Sequence, residues 1–277
     1  MATSSPAGLG KPPSRFALEI LLLFSLALVY FYGVVILART TVIFEILFCL
    51  AVPAAILFLK RFSSEKTDKR VLQLIAIEVT FMAFAIISKV SQLAGVPSIN
   101  HLISYGFLTL FVLQFTFFAI YQRKVNSYFG MIRTIMFLIL VFPWFYHTDR
   151  LGLTDGQGRF LLWGAEAPPH IILYYCVWVI GVPLVDSRTL PNFVNATLHF
   201  ASVAVALWSQ EFFHARLLTA AHLFVMDSLF GFSKLGRHTF CTLTETQFQL
   251  YNAYVRKALD WVTLLACAAI AFRLIGR

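Results

Sequence analysis

Charged residues are scarce in this sequence: Lys, Arg, Asp and Glu make up 13% of it, about half the share of an ordinary soluble domain. A water-soluble chain of 277 residues could not cover its surface with so few ionised groups. Acidic side chains are the scarcer sign, 13 against 22 Lys and Arg, for a net charge of +9. In a soluble protein that excess would suggest nucleic acid. Here the cations stand mainly between apolar runs, where they orient membrane spans and meet anionic headgroups. No nucleic-acid partner is expected; the expected partner is the lipid bilayer.

Other absences narrow the chemistry. The four cysteines, Cys49, Cys176, Cys241 and Cys267, form no CxxC or Cys/His finger, and three of them lie inside apolar runs. That excludes a disulfide framework or zinc site of recognisable spacing. GxGxxG and GxxxxGK[ST] are missing, and so are H-E-x-x-H, G-x-S-x-G and clustered histidine boxes. Intramembrane glutamic proteases carry a double Glu followed by Arg, a pattern that Gln210–Glu211 and Arg216 miss in residue and spacing. No internal repeat supports an inverted-repeat transporter. No C-terminal retention or prenylation signal occurs.

What the chain does have is hydrocarbon. It is 59% hydrophobic, with 29 Phe and a mean hydropathy of +0.78. A bilayer core of about 30 Å needs roughly 17–25 helical residues per span. Runs of that kind cover Phe16–Ala38, Thr40–Leu59, Val71–Ser88, Leu102–Tyr121, Met131–His147, His170–Val185, Phe193–Gln210, Leu217–Ser233 and Ala258–Ile275. The expected fold is an all-α polytopic transmembrane helix bundle of about nine spans, with a range of seven to nine. The first five runs and the last are the clearest. The sixth is short and carries Pro183 near its end, and the seventh and eighth form either a tight hairpin or one broken helix. Residues 1–15 read as a disordered, proline-rich polar tail and 16–277 as one membrane domain. The first run is too long for a signal-peptide core and is expected to remain as a span.

Cation counting gives the orientation. With the N-terminus inside and nine spans, fifteen Lys and Arg fall on the inner side and seven on the outer. Merging the seventh and eighth runs lowers the contrast to thirteen against nine. The bias places the N-terminus in the cytoplasm. Trp144 and Tyr146 close the fifth run, Trp208 closes the seventh and Trp261 opens the last, as in an interfacial belt. Lys60–Arg70 reads as a charged linker on anionic headgroups, Thr148–Pro169 as a flexible polar turn, and Thr239–Lys257 as an inner interfacial helix. The sequon at Asn195-Ala196-Thr197 falls inside a span and is not expected to be glycosylated.

Charges inside hydrocarbon cost on the order of 2.5–3.5 kcal/mol each at a helix centre, so each needs a reason. Glu78 sits near the middle of the third run and Asp227 in the inner half of the eighth. Glu45 lies in the outer third of the second and is placed to pair with Lys89, which ends the third on the same side. Glu19 and Asp260 stand near the inner ends of their spans, within reach of water. Glu211 and His214 form an E-x-x-H pair, a spacing that puts both on one helix face. Di-iron bundles need two such pairs with two more glutamates, and only one is present. His222 lies eleven residues beyond Glu211, near its azimuth on an unbroken helix. The bland alternative pairs Glu211 with Arg216.

Glu78, Glu211, His214, His222 and Asp227 are therefore the candidate catalytic residues, with no metal or cofactor site identified and the cofactor unknown. The reading preferred is a membrane-embedded enzyme working by acid/base chemistry on a lipid or isoprenoid-like hydrophobic substrate. The preference rests on the polar groups being few and gathered late in the chain. A transporter or channel lined by the same carboxylates is one alternative, and a scaffold or complex-assembly subunit is the other.

Overall fold

The computed structural model describes residues 13–61, 69–96, 98–147, 153–154, 160–161, 167–184, 193–209, 211–230 and 245–275. Among these residues the chain forms nine helices. They are α1 (Pro13–Thr40), α2 (Val42–Phe44, continuing through a π-helical stretch Glu45–Ala51 into Val52–Arg61), α3 (Lys69–Leu93), α4 (Ser98–Lys124) and α5 (Tyr128–His147). The series continues with α6 (Pro169–Leu184), α7 (Phe193–Trp208), α8 (Phe212–Phe230) and α9, which runs from Glu245–Leu250 through a π stretch at Tyr251–Val255 into Arg256–Ile275. The expected all-α bundle is what forms. Between α5 and α6 a two-residue antiparallel pair, β1 (Leu153–Thr154) with β2 (Phe160–Leu161), stands where a plain turn was expected.

Five helices are long and apolar enough to cross a membrane, covering Arg15–Thr40, Val42–Lys60, Leu72–Ser91, Leu102–Lys124 and Tyr128–Phe145. The apolar helices Pro169–Leu184, Phe193–Trp208 and Phe212–Met226 are shorter. At 1.5 Å per residue, the 16 residues of α6 or α7 reach about 24 Å, less than a full hydrocarbon core. Pro183 falls in the last described turn of α6 (Pro169–Leu184).

The bundle is apolar outside and encloses several charged side chains, Glu45, Glu78, Arg133 and Arg216 among them, in an apolar core. In α1 the buried residues Ala27, Phe31, Val34, Val35 and Ala38 form one stripe of helical period, while Leu18, Leu22, Leu26 and Val29 point outward. Phe272 is 81% exposed and Trp208 77%, whereas Glu45 is fully covered and Arg133 1% exposed. Water would invert that arrangement; lipid permits it. The core is largely aromatic: Phe111 and Phe115 of α4 lie 4.5 Å apart, and Phe115 meets Phe137 of α5 at 5.1 Å and Trp178 of α6 at 5.0 Å.

Tight connections enforce up-and-down order. Only Val125–Ser127 join α4 to α5, with Asn126 left-handed at φ 56° and Ser127 N–H donating to Gln122 O at 2.8 Å. Gly95 (φ 69°) turns the chain after α3, a conformation that strains any side chain. The seventh and eighth runs form a hairpin rather than a broken helix. Ser209 N–H closes α7 on Val205 O, and the Glu211 carbonyl accepts from Ala215 N–H to open α8. The turn therefore precedes α8, so Glu211 caps and His214 and His222 ride on one unbroken helix.

Three expectations change. Helix α1 already includes Pro13–Arg15, inside the segment read as tail. The separate interfacial helix over Thr239–Lys257 is instead, from Glu245 on, the first part of α9, and Tyr251 ties it to the end of α6 by donating to Leu184 O at 2.5 Å. Arg133, counted as an inner-loop cation, is buried in the bundle. It donates to Asp260 Oδ1 at 2.6 Å and Thr263 Oγ1 at 2.8 Å, so Asp260 is a helix tie as well as a span-end charge. Residues 1–12, most of the Lys60–Arg70 linker, most of Thr148–Pro169 and Cys241 lie outside the described residues. Thr197 of the sequon is buried on α7, as a span position should be.

Gly181 of α6 makes room for the Arg133 guanidinium: a Cβ there would stand 3.1 Å from Nη2 and 3.2 Å from Cζ. Gly181→Leu is expected to destabilise the protein by about 1–3 kcal/mol through overpacking. Gly33→Ala, where nothing lies within 4 Å, should be neutral or slightly stabilising. Thermal unfolding in detergent checks both, and equal effects would contradict this packing.

Candidate functional site

Helix α8 is the polar axis. From Glu211 to Leu223 it is buried at every position but Phe213, which is half-buried, and it packs against α1, α2, α3 and α7. Its small residues Ala215, Thr219, Ala220 and Ala221 let neighbouring backbones approach. Residues two apart on a helix point about 200° away from each other, so His214 and Arg216 face opposite sides.

On the first side, His214 meets Glu45 of α2, with Nε2 3.3 Å from Oε1. The other carboxylate oxygen of Glu45 accepts from Lys89 Nζ of α3 at 2.8 Å, the pairing expected from the sequence. Arg39, at the end of α1, donates to the Glu211 carbonyl at 3.4 Å. One end of the bundle thus gathers an ammonium, a carboxylate and an imidazole in line, with a guanidinium beside them. A buried carboxylate held between two hydrogen-bond donors fixes the ring it contacts, which is how an acid/base imidazole is oriented.

Two turns deeper on α8, His222 Nδ1 shares a 3.1 Å hydrogen bond with Tyr30 Oη of α1, and its ring stacks on Phe48 of α2 at 4.9 Å. The π-helical stretch Glu45–Ala51 carries both Glu45 to His214 and Phe48 to His222. Proline at position 53 has no N–H to give the Cys49 carbonyl, and Val52 N–H bonds back to Leu47 O instead, the wider π pattern.

On the opposite side, Arg216 donates from Nε to Tyr175 Oη of α6 at 3.1 Å and from Nη1 to Ser202 Oγ of α7, which shares a hydrogen bond with Thr219. Arg216 thus turns to Tyr175 and Ser202 rather than to Glu211, correcting the bland pairing weighed above. Glu78 of α3 belongs to this side: Gln114 of α4 donates to its Oε1 at 3.4 Å, and Arg216 lies within electrostatic range.

The candidate residues therefore divide. Glu211, His214 and His222 share one side of α8, and Glu78 faces the other. Asp227 lies on α8, but its side chain is outside the described part of the structure. Sequence reading missed Tyr30, Tyr175 and Ser202, and missed that Glu45 serves His214. Hydroxyls inside apolar runs carry no signal of their own, and which helices meet is not written in spacing. The argument that polar groups gather late in the chain also fails, because their partners come from α1, α2 and α3. Among the described residues no three His, Cys, Asp or Glu converge as metal ligands.

Removing Lys89 leaves the buried Glu45 carboxylate without its ammonium. Lys89→Met should destabilise by roughly 3 kcal/mol, and adding Glu45→Gln should recover part of that loss. A double-mutant cycle of unfolding midpoints tests it; strict additivity would mean the pair is not coupled. No family model matches this chain, and neither a curated protein nor a solved structure is found to be similar to it.

Proposed function

We propose that this chain is a multi-pass membrane enzyme that moves a proton on a lipid or isoprenoid-like substrate. In this reading His214 is the proton-transfer group, Glu45 holds its ring and Lys89 compensates the carboxylate. The single observation that carries it is the Glu45–His214 pair buried at one end of an otherwise apolar bundle. General acid/base catalysis needs a group whose protonation state can change and whose geometry is fixed, and a carboxylate-bound imidazole meets both needs. Glu211 stands at the same helix end, next to Arg39. Glu78 is read as the tie of α3 to α4, and Asp227 is assigned no part.

Two features favour an enzyme over a transport path. The acid/base pair lies at one end of the bundle, and the charged pair at the other, Arg133 with Asp260, is closed by short hydrogen bonds that also reach Thr263. For Arg133 and Asp260 themselves the structural role is the better reading. The proposed orientation keeps the N-terminus in the cytoplasm. With Arg133 and Arg216 buried and the half-buried Lys89 bonded to Glu45 inside the bundle, the cations left to set topology are fourteen inside against five outside.

The test compares membranes from cells expressing the wild type, His214→Ala and Glu45→Gln at equal levels, with extracted lipids profiled by mass spectrometry. The wild type should convert at least one hydrophobic species, and His214→Ala should slow that conversion by about 100-fold or more. Identical profiles from wild type and a folded His214→Ala would end the enzyme reading.

A further inference from the structure

His222 sits in surroundings unlike those of His214. It is 2% exposed, its Nδ1 is committed to Tyr30, and its Nε2 is buried without a hydrogen-bond partner. Around it stand Phe48, stacked on the ring, and Tyr30, with Phe31 beside Tyr30. Among the described residues no charged side chain is bonded to the ring, whereas His214 meets the Glu45 carboxylate that Lys89 also holds. A buried ring nitrogen left unbonded is costly, and natural proteins rarely leave one so without a use.

We infer that His222 Nε2 is the docking point for a neutral polar group, a hydroxyl or carbonyl, on a hydrophobic molecule lying along α8. The inference rests on the enzyme reading in taking that molecule for the substrate. A neutral group fits because no charged side chain among the described residues bonds to this ring to compensate an ion, and an uncompensated ion in this medium is far more expensive than a hydroxyl. Aromatic walls from Phe48 and Tyr30 suit an apolar chain. Eight residues separate His214 from His222, a rise of about 12 Å.

The Tyr30 contact decides which form of the ring docks the ligand. If the Tyr30 hydroxyl donates to Nδ1, Nε2 carries the hydrogen and donates to the ligand; the reverse tautomer makes Nε2 an acceptor. Tyr30 is thus a positioning residue. Loss of its hydroxyl should mix the tautomers without removing the site.

The experiment uses the full chain, labelled with 15N-histidine, in zwitterionic detergent micelles, with 1-dodecanol and dodecane as probes. The His222 Nε2 resonance is identified by its loss in His222→Phe, with His222→Gln as a second variant should the first not fold. Dodecanol is expected to shift that resonance saturably and dodecane is not. Binding of dodecanol should weaken about tenfold in His222→Phe, the loss of one buried hydrogen bond. Tyr30→Phe should leave dodecanol binding in place but change the Nδ1 and Nε2 shifts of the unbound protein. A resonance that dodecanol does not move, or that dodecane moves equally, overturns the docking site. Dodecanol binding together with an unchanged lipid profile keeps the site and removes the enzyme reading, so the two failures are separable.

Discussion

Hydrocarbon solvates no charge, and everything else in this molecule follows from that constraint. An ionised side chain inside a bilayer costs several kcal/mol unless another helix supplies its partner. The helices have met the requirement in pairs: Lys89 with Glu45, Arg133 with Asp260, Arg216 with the hydroxyls of Tyr175 and Ser202. Lys89–Glu45 joins the consecutive helices α2 and α3, while Arg133–Asp260 and Arg216–Tyr175 join helices that are not neighbours in the chain, so the polar groups decide which faces meet. The apolar side chains left over, Leu18, Leu26, Val29 and Phe272 among them, face outward.

Helix α8 is the consequence. A helix surrounded on all sides can carry polar residues on all sides, provided each neighbour answers, and α8 is answered by α1, α2, α3, α6 and α7. Its small residues keep the neighbours close enough to do so. The π-helical stretch of α2 matters for the same reason: by widening the turn before Pro53 it brings Glu45 and Phe48 to two histidines of one helix. Stretches of this kind are enriched at functional sites because they re-aim side chains at a cost in backbone regularity.

Much of the fold is legible in the sequence. Among the described residues each of the nine apolar runs lies on a helix, the first five of them long and apolar enough to cross a membrane and the last, read as one of the clearest, not among those five. The Glu45–Lys89 pair is legible too, since both residues stand near the same ends of adjacent runs. The rest depends on long-range packing. Tyr30 and His222 are 192 residues apart, and Arg133 and Asp260 are 127 apart. No local spacing announces such contacts. The start of α9 is hidden for another reason: its π stretch at Tyr251–Val255 shifts the helical phase, so Phe248, Tyr251 and Tyr254 show no clean 3.6-residue period in sequence. Arg133 looks like a loop cation because it falls two residues inside its apolar run. Only its buried bonds to Asp260 and Thr263 reveal a tie between helices.

The central claim is that the apolar faces meet lipid while α8 is enclosed, and spin labels placed one at a time at Leu26, Val29, Leu102, Phe272 and Ala215 test it most directly. In proteoliposomes the first four should be readily relaxed by oxygen, which partitions into hydrocarbon, and poorly by a water-soluble nickel chelate, while the label at Ala215 should be shielded from both. Labels at Leu26 and Phe272 that respond strongly to the nickel chelate would place those faces in water and contradict the account.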